Sequence, residues 1–232
     1  MNKPYLKSMD IQGFKSFANQ THIDFSPKIN VILGAHETGK TNILNAIRWC
    51  LFGSLIFDSW CICKCESIKH TEVQLTFGLE ENDSSDTILK HQIEHDNNNE
   101  IIKSECFING EMIAEELFAE RLFEQGFLKQ KTELGNMFSG SIIDDRKYNG
   151  QFDIFISRSL TAPLCLINDS LSSAADEQFG QIITSMIKGL SETSQCIVVS
   201  QAKQIAMESD RMIGVTVEGD SSKVIEIAAE KE

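Results

Sequence analysis

Gly34-Ala35-His36-Glu37-Thr38-Gly39-Lys40-Thr41 matches G-x-x-x-x-G-K-[ST], a spacing of residue types that can grip a polyphosphate. Glycines at both ends let the backbone wrap an anion without Cβ clashes. The successive N–H groups of Ala35, His36, Glu37 and Thr38, with the positive end of a following helix, then face the phosphates. Lys40 adds a point charge, the Thr41 hydroxyl can ligate Mg²⁺, and Asn42 opens the helix behind them. The chemistry that follows is binding of a nucleoside triphosphate with Mg²⁺. Glu37 brings a carboxylate near the phosphates, but its N–H can still join the cradle.

A second group is thiol chemistry. Cys61, Cys63 and Cys65 form C-x-C-x-C, which lacks the C-x₂₋₄-C pairs of structural zinc sites. Free thiols are the favoured reading; the alternative is a metal held with His70 as fourth ligand. Cys165 and Cys196 sit inside apolar runs, as small core residues do. Seven cysteines, an odd number, with no export signal at Met1-Asn-Lys-Pro-Tyr5, suggest a reducing, cytoplasmic setting.

The elements that must position the loop are legible around it. Ile29 to Leu33 reads as a buried strand, and Ile43, Leu44, Ile47 and Leu51 recur at helical spacing up to Phe52-Gly53. The apolar share, 41%, is enough for one substantial core in 232 residues. No apolar run is long enough to span a membrane. The net charge of −13 excludes binding of nucleic acid by bulk positive charge, leaving only a local patch such as Lys3, Lys7 and Lys15.

Strands are expected at Tyr5–Ile11, Thr21–Phe25, Thr71–Phe77, Thr87–Glu94 and Glu100–Ile108, with a polar loop from Glu80 to Asp86 and a tight turn at Asn109-Gly110. Met112–Phe123 has helical periodicity. Gly126 to Tyr148 keeps no period and reads as a junction. A short helix is expected at Phe152–Leu160. Leu164–Ile167, ending in Asn168-Asp169, and Cys196–Val199 read as buried parallel strands. Ala174–Leu190 reads as a helix burying Phe179, Ile182, Ile183, Met186 and Leu190, and Lys203–Glu208 as a short one. Met212–Val217 and Lys223–Ile227 form a closing hairpin. Alternating strands and helices imply an α/β sheet with ligand at the carboxyl ends of its strands.

Several stretches together resemble the head domain of structural maintenance of chromosomes (SMC) proteins. They are Tyr5-Leu-Lys-Ser-Met-Asp-Ile-Gln-Gly-Phe-Lys-Ser-Phe-Ala18, Lys40-Thr-Asn-Ile-Leu-Asn-Ala-Ile-Arg-Trp49, Glu72–Phe77, Phe107–Gly110, Ala162–Asp169 and Ser209–Val217. The likeness spans nearly the whole chain and is specific in the first third. It implies an α/β P-loop NTPase of the ATP-binding-cassette type, with a mixed-sheet N-terminal lobe over residues 1–126 and a parallel-strand C-terminal lobe over 151–232. The junction at 127–150 stands where the family has a long coiled coil, and it is too short for a sustained heptad rod. The resemblance also implies a head–head homodimer, or a heterodimer with an SMC-type protein, in chromosome organisation or DNA repair. DNA contact through a local patch and a nucleoid-associated place in the cytoplasm belong to the same expectation.

The hydrolytic motifs depart from the family pattern. Its Walker B strand ends in Asp-Glu, where this chain has Asn168 and Asp169. Asn168 brings no charge to a metal, and Asp169 is one methylene shorter than the glutamate that orients the attacking water. The switch histidine falls on Gln201, the signature loop is reduced to Phe138-Ser-Gly-Ser141, and Gln125 is the nearest counterpart of the glutamine loop. Phosphoryl transfer depends on several parts placed at once. Nucleotide binding with weak or no hydrolysis is therefore the expectation.

Overall fold

The computed structural model describes residues 4–52, 61–63, 65, 68–79, 82–114, 117–124, 152–157, 164–169 and 177–227. In chain order the strands are β1 (Tyr5–Gln12), β2 (Thr21–Asp24), β3 (Ile29–Leu33), β4 (His70–Leu79), β5 (Asn82–His95), β6 (Ile101–Ile108), β7 (Glu111–Ile113), β8 (Phe152–Ser157), β9 (Leu164–Asp169), β10 (Gln195–Val199), β11 (Arg211–Glu218) and β12 (Ser221–Ile227). The helices are α1 (Lys40–Phe52), α2 (Phe118–Glu124), α3 (Glu177–Ser191) and α4 (Lys203–Met207).

Two six-stranded sheets result, ordered β2-β1-β4-β5-β6-β7 and β12-β11-β3-β10-β9-β8. The first is antiparallel throughout. The second is mixed: β11, β3, β10 and β9 run parallel, with antiparallel β12 and β8 at its edges. Thus β3, from the first fifth of the chain, lies between two strands from the last third. The expected α/β class holds, with the mixed pairing in the second sheet and antiparallel pairing alone in the first.

Side-chain alternation sorts the second sheet into two interfaces. Ile32, Leu164, Leu166, Ile197, Val199, Ile213 and Val215 join the main core, together with α1 and the first sheet. Val31, Cys165, Ile167, Cys196 and Val198 point the other way, against Ile183 and Ile187 of α3 and Ile205 of α4. Helix α1 is buried through Ile43, Leu44, Ile47, Trp49 and Leu51, and it packs on β4, β5 and β10. Its amino end is therefore held rigidly where the phosphate-type loop delivers it.

Buried polar side chains fix the register between the sheets. Gln195 Oε1 accepts from the Leu6 N–H at 2.9 Å, and its amide donates to the Leu6 and Ser26 carbonyls at 2.9 and 2.8 Å. One side chain thus ties β1 to the start of β10. Asn30 donates to the Ser26 carbonyl at 2.9 Å and accepts from the Ser26 N–H at 2.7 Å, closing the turn before β3.

Four local expectations are corrected. Phe152–Ser157 is a strand, not a helix; its aromatic and β-branched residues pair antiparallel with β9. Strand β5 begins at Asn82, which pairs with Leu79 of β4 beyond a register shift, so Asn82–Asp86 is strand rather than loop, and Asp86 pairs with Lys7 at 3.0 Å. Met112 and Ile113 belong to β7, because Asn109 and Gly110 both take positive φ, 53° and 83°, and fold the chain back onto β6. Ile182 is 67% exposed, and Ile187 takes its place beside the expected Ile183, with Met186 and Leu190 packed against them. The junction at 127–150, the Phe138–Ser141 signature and Gln125 lie outside the described residues. Among the described residues no helix is long and apolar enough to cross a membrane.

Candidate nucleotide-binding site

The loop from Gly34 to Gly39 leaves β3 at its carboxyl end and runs directly into α1 at Lys40. A buried strand and a buried helix fix both ends of the loop. Close approach explains both glycines. A Cβ on Gly34 would lie 2.2 Å from the Val215 carbonyl oxygen. Gly39 has φ +97°, and a Cβ there would lie 2.4 Å from Ser222 Oγ and 2.5 Å from Ser16 Oγ. Glu37 adopts φ +62°, a left-handed conformation that non-glycine residues rarely take and that clusters at ligand clamps. Nothing in its side chain signalled this.

Ala35, His36, Glu37 and Thr41 are exposed, and Thr38 is buried with its hydroxyl donating to the Ala35 carbonyl at 3.0 Å. The Lys40 ammonium folds back over the loop and donates to the same Ala35 carbonyl. Partial burial lowers the Lys40 pKa from its ordinary value. An anion in the loop would compete with that carbonyl for the ammonium and raise the pKa again.

The other sequence-predicted residues come to the same edge. Register places Ile32, Val199 and Asn168 in one row across β3, β10 and β9. Two strand spacings, about 10 Å, therefore separate Asn168 from β3. Asn168 Oδ1 is buried and has no hydrogen-bond partner among the described residues. Asp169 is the last residue of β9, in register with Phe152. Gln201 follows β10, is exposed, and its amide donates to the Gly34 carbonyl at 3.5 Å. The loop, Asn168, Asp169 and Gln201 thus converge at the carboxyl ends of three adjacent parallel strands.

Sequence reasoning missed what braces the loop. Ser222 Oγ of β12 lies 2.7 Å from the Thr38 carbonyl and 2.7 Å from Ser16 Oγ. Asn42 donates to Ser16 Oγ at 2.7 Å, and the Ser222 N–H donates to the Ser16 carbonyl at 2.7 Å. The neighbouring Ser221 Oγ accepts from the Ala18 N–H at 3.1 Å. Serines 180 or more positions away in sequence carry no periodicity that could reveal this.

The remaining candidates do not join the site. Cys61 and Cys63 are buried, Cys65 is half-buried, and all three are free thiols. Among the described residues no three His, Cys, Asp or Glu side chains converge as a metal site would require. Lys7 is paired with Asp86, and Lys15 is half-buried, its pKa pushed down to about 8 chiefly by burial. These two do not make an exposed basic patch.

A glycine-flanked loop between a central parallel strand and a buried helix defines a P-loop nucleotide-binding fold. Residues 5–223 match the family described as RecF/RecN/SMC N terminal domain, and the chain belongs to that family. Its architecture is that of an SMC-type ATP-binding-cassette head. The SMC head domain from Thermotoga maritima superposes with a TM-score of 0.64 at 17% identity, over 97% of this chain and 100% of that one. The Smc head domain with an extended coiled coil bound to the C-terminal domain of ScpA, from Pyrococcus furiosus, superposes with a TM-score of 0.67 at 14% identity, over 98% and 97% of the two chains. In sequence, chromosome partition protein Smc of Lactiplantibacillus plantarum is 54% identical over 46 residues, 20% of this chain and 4% of that protein. The same protein of Fusobacterium nucleatum is 49% identical over 47 residues, again 20% and 4%. The match thus spans only a small fraction of those relatives' length.

Proposed function

We propose that this chain is a nucleotide-binding head that holds Mg–ATP in the Gly34–Thr41 loop and hydrolyses it weakly or not at all. The observation that carries the proposal is the convergence of the loop, Asn168 and Gln201 on one sheet edge. Backbone N–H groups from Ala35 to Gly39 and the amino end of α1 receive the phosphates, with Lys40 as counter-charge. The residues present fit a magnesium ion. The exposed Thr41 hydroxyl is open to ligate it, and Asn168 Oδ1, unpartnered among the described residues, is a neutral oxygen able to accept from metal-bound water. Bound Mg²⁺ would supply charge neutralisation between phosphate oxygens.

Hydrolysis is a different matter. Asn168 brings no charge, Gln201 stands where the family has a histidine, and Asp169 alone remains to orient water. With binding groups intact and hydrolytic groups altered, the head reads as one that responds to nucleotide more than it consumes it. Two lobes, 1–126 and 151–232, joined by 127–150, build it. Its setting is chromosome organisation in the cytoplasm, at the nucleoid, in a head–head homodimer or beside an SMC-type partner. The relatives named chromosome partition protein and the head structure solved with a ScpA domain support that setting.

The neutral Asn168 favours one second reading: a non-catalytic module that pairs with an intact head and regulates it. Phosphate release measured beside binding separates the two. Turnover that disappears in Lys40→Ala supports a weak ATPase; where binding is tight without release, a change in an intact SMC-type head's turnover on adding this chain marks the regulator. Turnover at about 1 s⁻¹ or faster would refute the reading of altered hydrolytic groups.

A further inference from the structure

The hydroxyls behind the loop form a directed chain, and counting protons fixes its direction. Ser222 has a single O–H and two oxygens at 2.7 Å: the Thr38 carbonyl and Ser16 Oγ. A carbonyl can only accept, so the Ser222 proton goes to Thr38. The contact between the two serines must then be donated by Ser16. Ser16 in turn accepts from the Asn42 amide at 2.7 Å. The order is Asn42 Nδ2–H to Ser16 O–H to Ser222 O–H to the Thr38 carbonyl, with every hydroxyl proton used once.

Such a head-to-tail chain strengthens its own links, because each hydroxyl that accepts becomes a better donor. Its last link ends on the peptide between Thr38 and Gly39. Hydrogen bonding at a carbonyl draws electron density from its amide nitrogen, which leaves the N–H more positive. The peptide is planar and trans, so the Gly39 N–H points away from Ser222. Gly39 leaves no slack, since even a methyl group there would collide with both serine hydroxyls.

We infer that Ser16 and Ser222 are positioning residues for the phosphate site: their relay orients the Thr38–Gly39 peptide and sharpens the Gly39 N–H as an anion donor. The relay also joins the first loop, the amino end of α1 and the last hairpin of the chain at one point. Filling the loop would therefore tighten segments more than 180 positions apart in sequence. The inference rests on the reading that the loop binds Mg–ATP.

The test is calorimetric titration of the full chain with Mg–ATP, in wild type, Ser16→Ala, Ser222→Ala, the double variant and Ser222→Thr, with melting curves of each without nucleotide. Each single alanine should weaken binding about 5–10-fold. The double variant should be no weaker than the worse single, because one relay is cut either way. Ser222→Thr, which keeps the hydroxyl, should regain most of the loss. The Gly39 amide nitrogen resonance should move upfield in both single variants. Ser222→Ala with wild-type affinity, additive losses in the double variant, or weakening that follows the melting temperature and leaves Gly39 unmoved would each overturn the relay. Should Ser222→Ala fail to fold, Ser16→Ala carries the same expectation alone. Wild type that binds no nucleotide overturns the underlying reading instead.

Discussion

Asn168→Asp puts a carboxylate where Oδ1 is buried without a partner among the described residues. The change is nearly isosteric, so packing stays the same and charge is the perturbation. Without metal the new charge has lost water and gained no partner among the described residues, which costs at least as much as a neutral unpaired group, about 1–3 kcal/mol. For a chain of this size 1 kcal/mol moves the melting temperature by about 2–4 °C, so the nucleotide-free variant should melt at least about 2 °C lower. Mg–ATP reverses the sign of the effect. A ligand at 100 times its Kd stabilises by about 2.7 kcal/mol, and a carboxylate facing hydrated Mg²⁺ lowers that Kd. The shift on adding Mg–ATP should thus be larger in the variant than in wild type, and chelating the metal should erase the difference. Differential scanning fluorimetry with ATP, with and without Mg²⁺, reads all of this. Equal melting temperatures and equal Mg–ATP shifts in the two proteins would refute the placement of Asn168 beside the metal.

Three further outcomes follow from the same geometry. Gly39→Ala must hold φ near +97° and displace both serine hydroxyls, so strain of about 1–3 kcal/mol should weaken Mg–ATP binding at least about 5-fold in calorimetry. Lys15 has its pKa depressed to about 8 from 10.5, so between those values the unfolded chain binds more protons and stability rises with pH. Lys15→Met should remove that rise, read as the difference between urea midpoints of the two proteins from pH 8 to pH 10.5. Finally, of seven cysteines only Cys65 is not buried, so a thiol reagent should label one site in the native protein and seven after denaturation. Protection of Cys65 that yields to a chelator would instead point to metal.

The loop was legible because its signal is local. Gly34, Gly39, Lys40 and Thr41 announce themselves by spacing, and Ile29–Leu33 and Ile43–Leu51 announce the strand and helix that hold them. The buried strands at Leu164–Ile167 and Cys196–Val199 were legible as short apolar runs for the same reason. What failed was set by partners distant in sequence. Phe152–Ser157 has too few residues for its period to separate strand from helix, and its pairing with β9 decides. Asn82–Asp86 looks like loop by composition, yet it lies in β5, with Asn82 paired to Leu79 of β4. Gln195, which locks β1 to β10, reads as an ordinary polar residue before a strand. The Ser16–Ser222 contact joins two small residues that could each occur on any surface.

The most direct measurement is calorimetric titration of the chain with ATP and Mg²⁺, set against Lys40→Ala. One saturable site per head, lost in Lys40→Ala and weakened when Mg²⁺ is chelated, is the result expected of a loop built for triphosphate. A wild-type protein that melts cooperatively but takes up no nucleotide, or one whose binding is indifferent to Lys40, would contradict it.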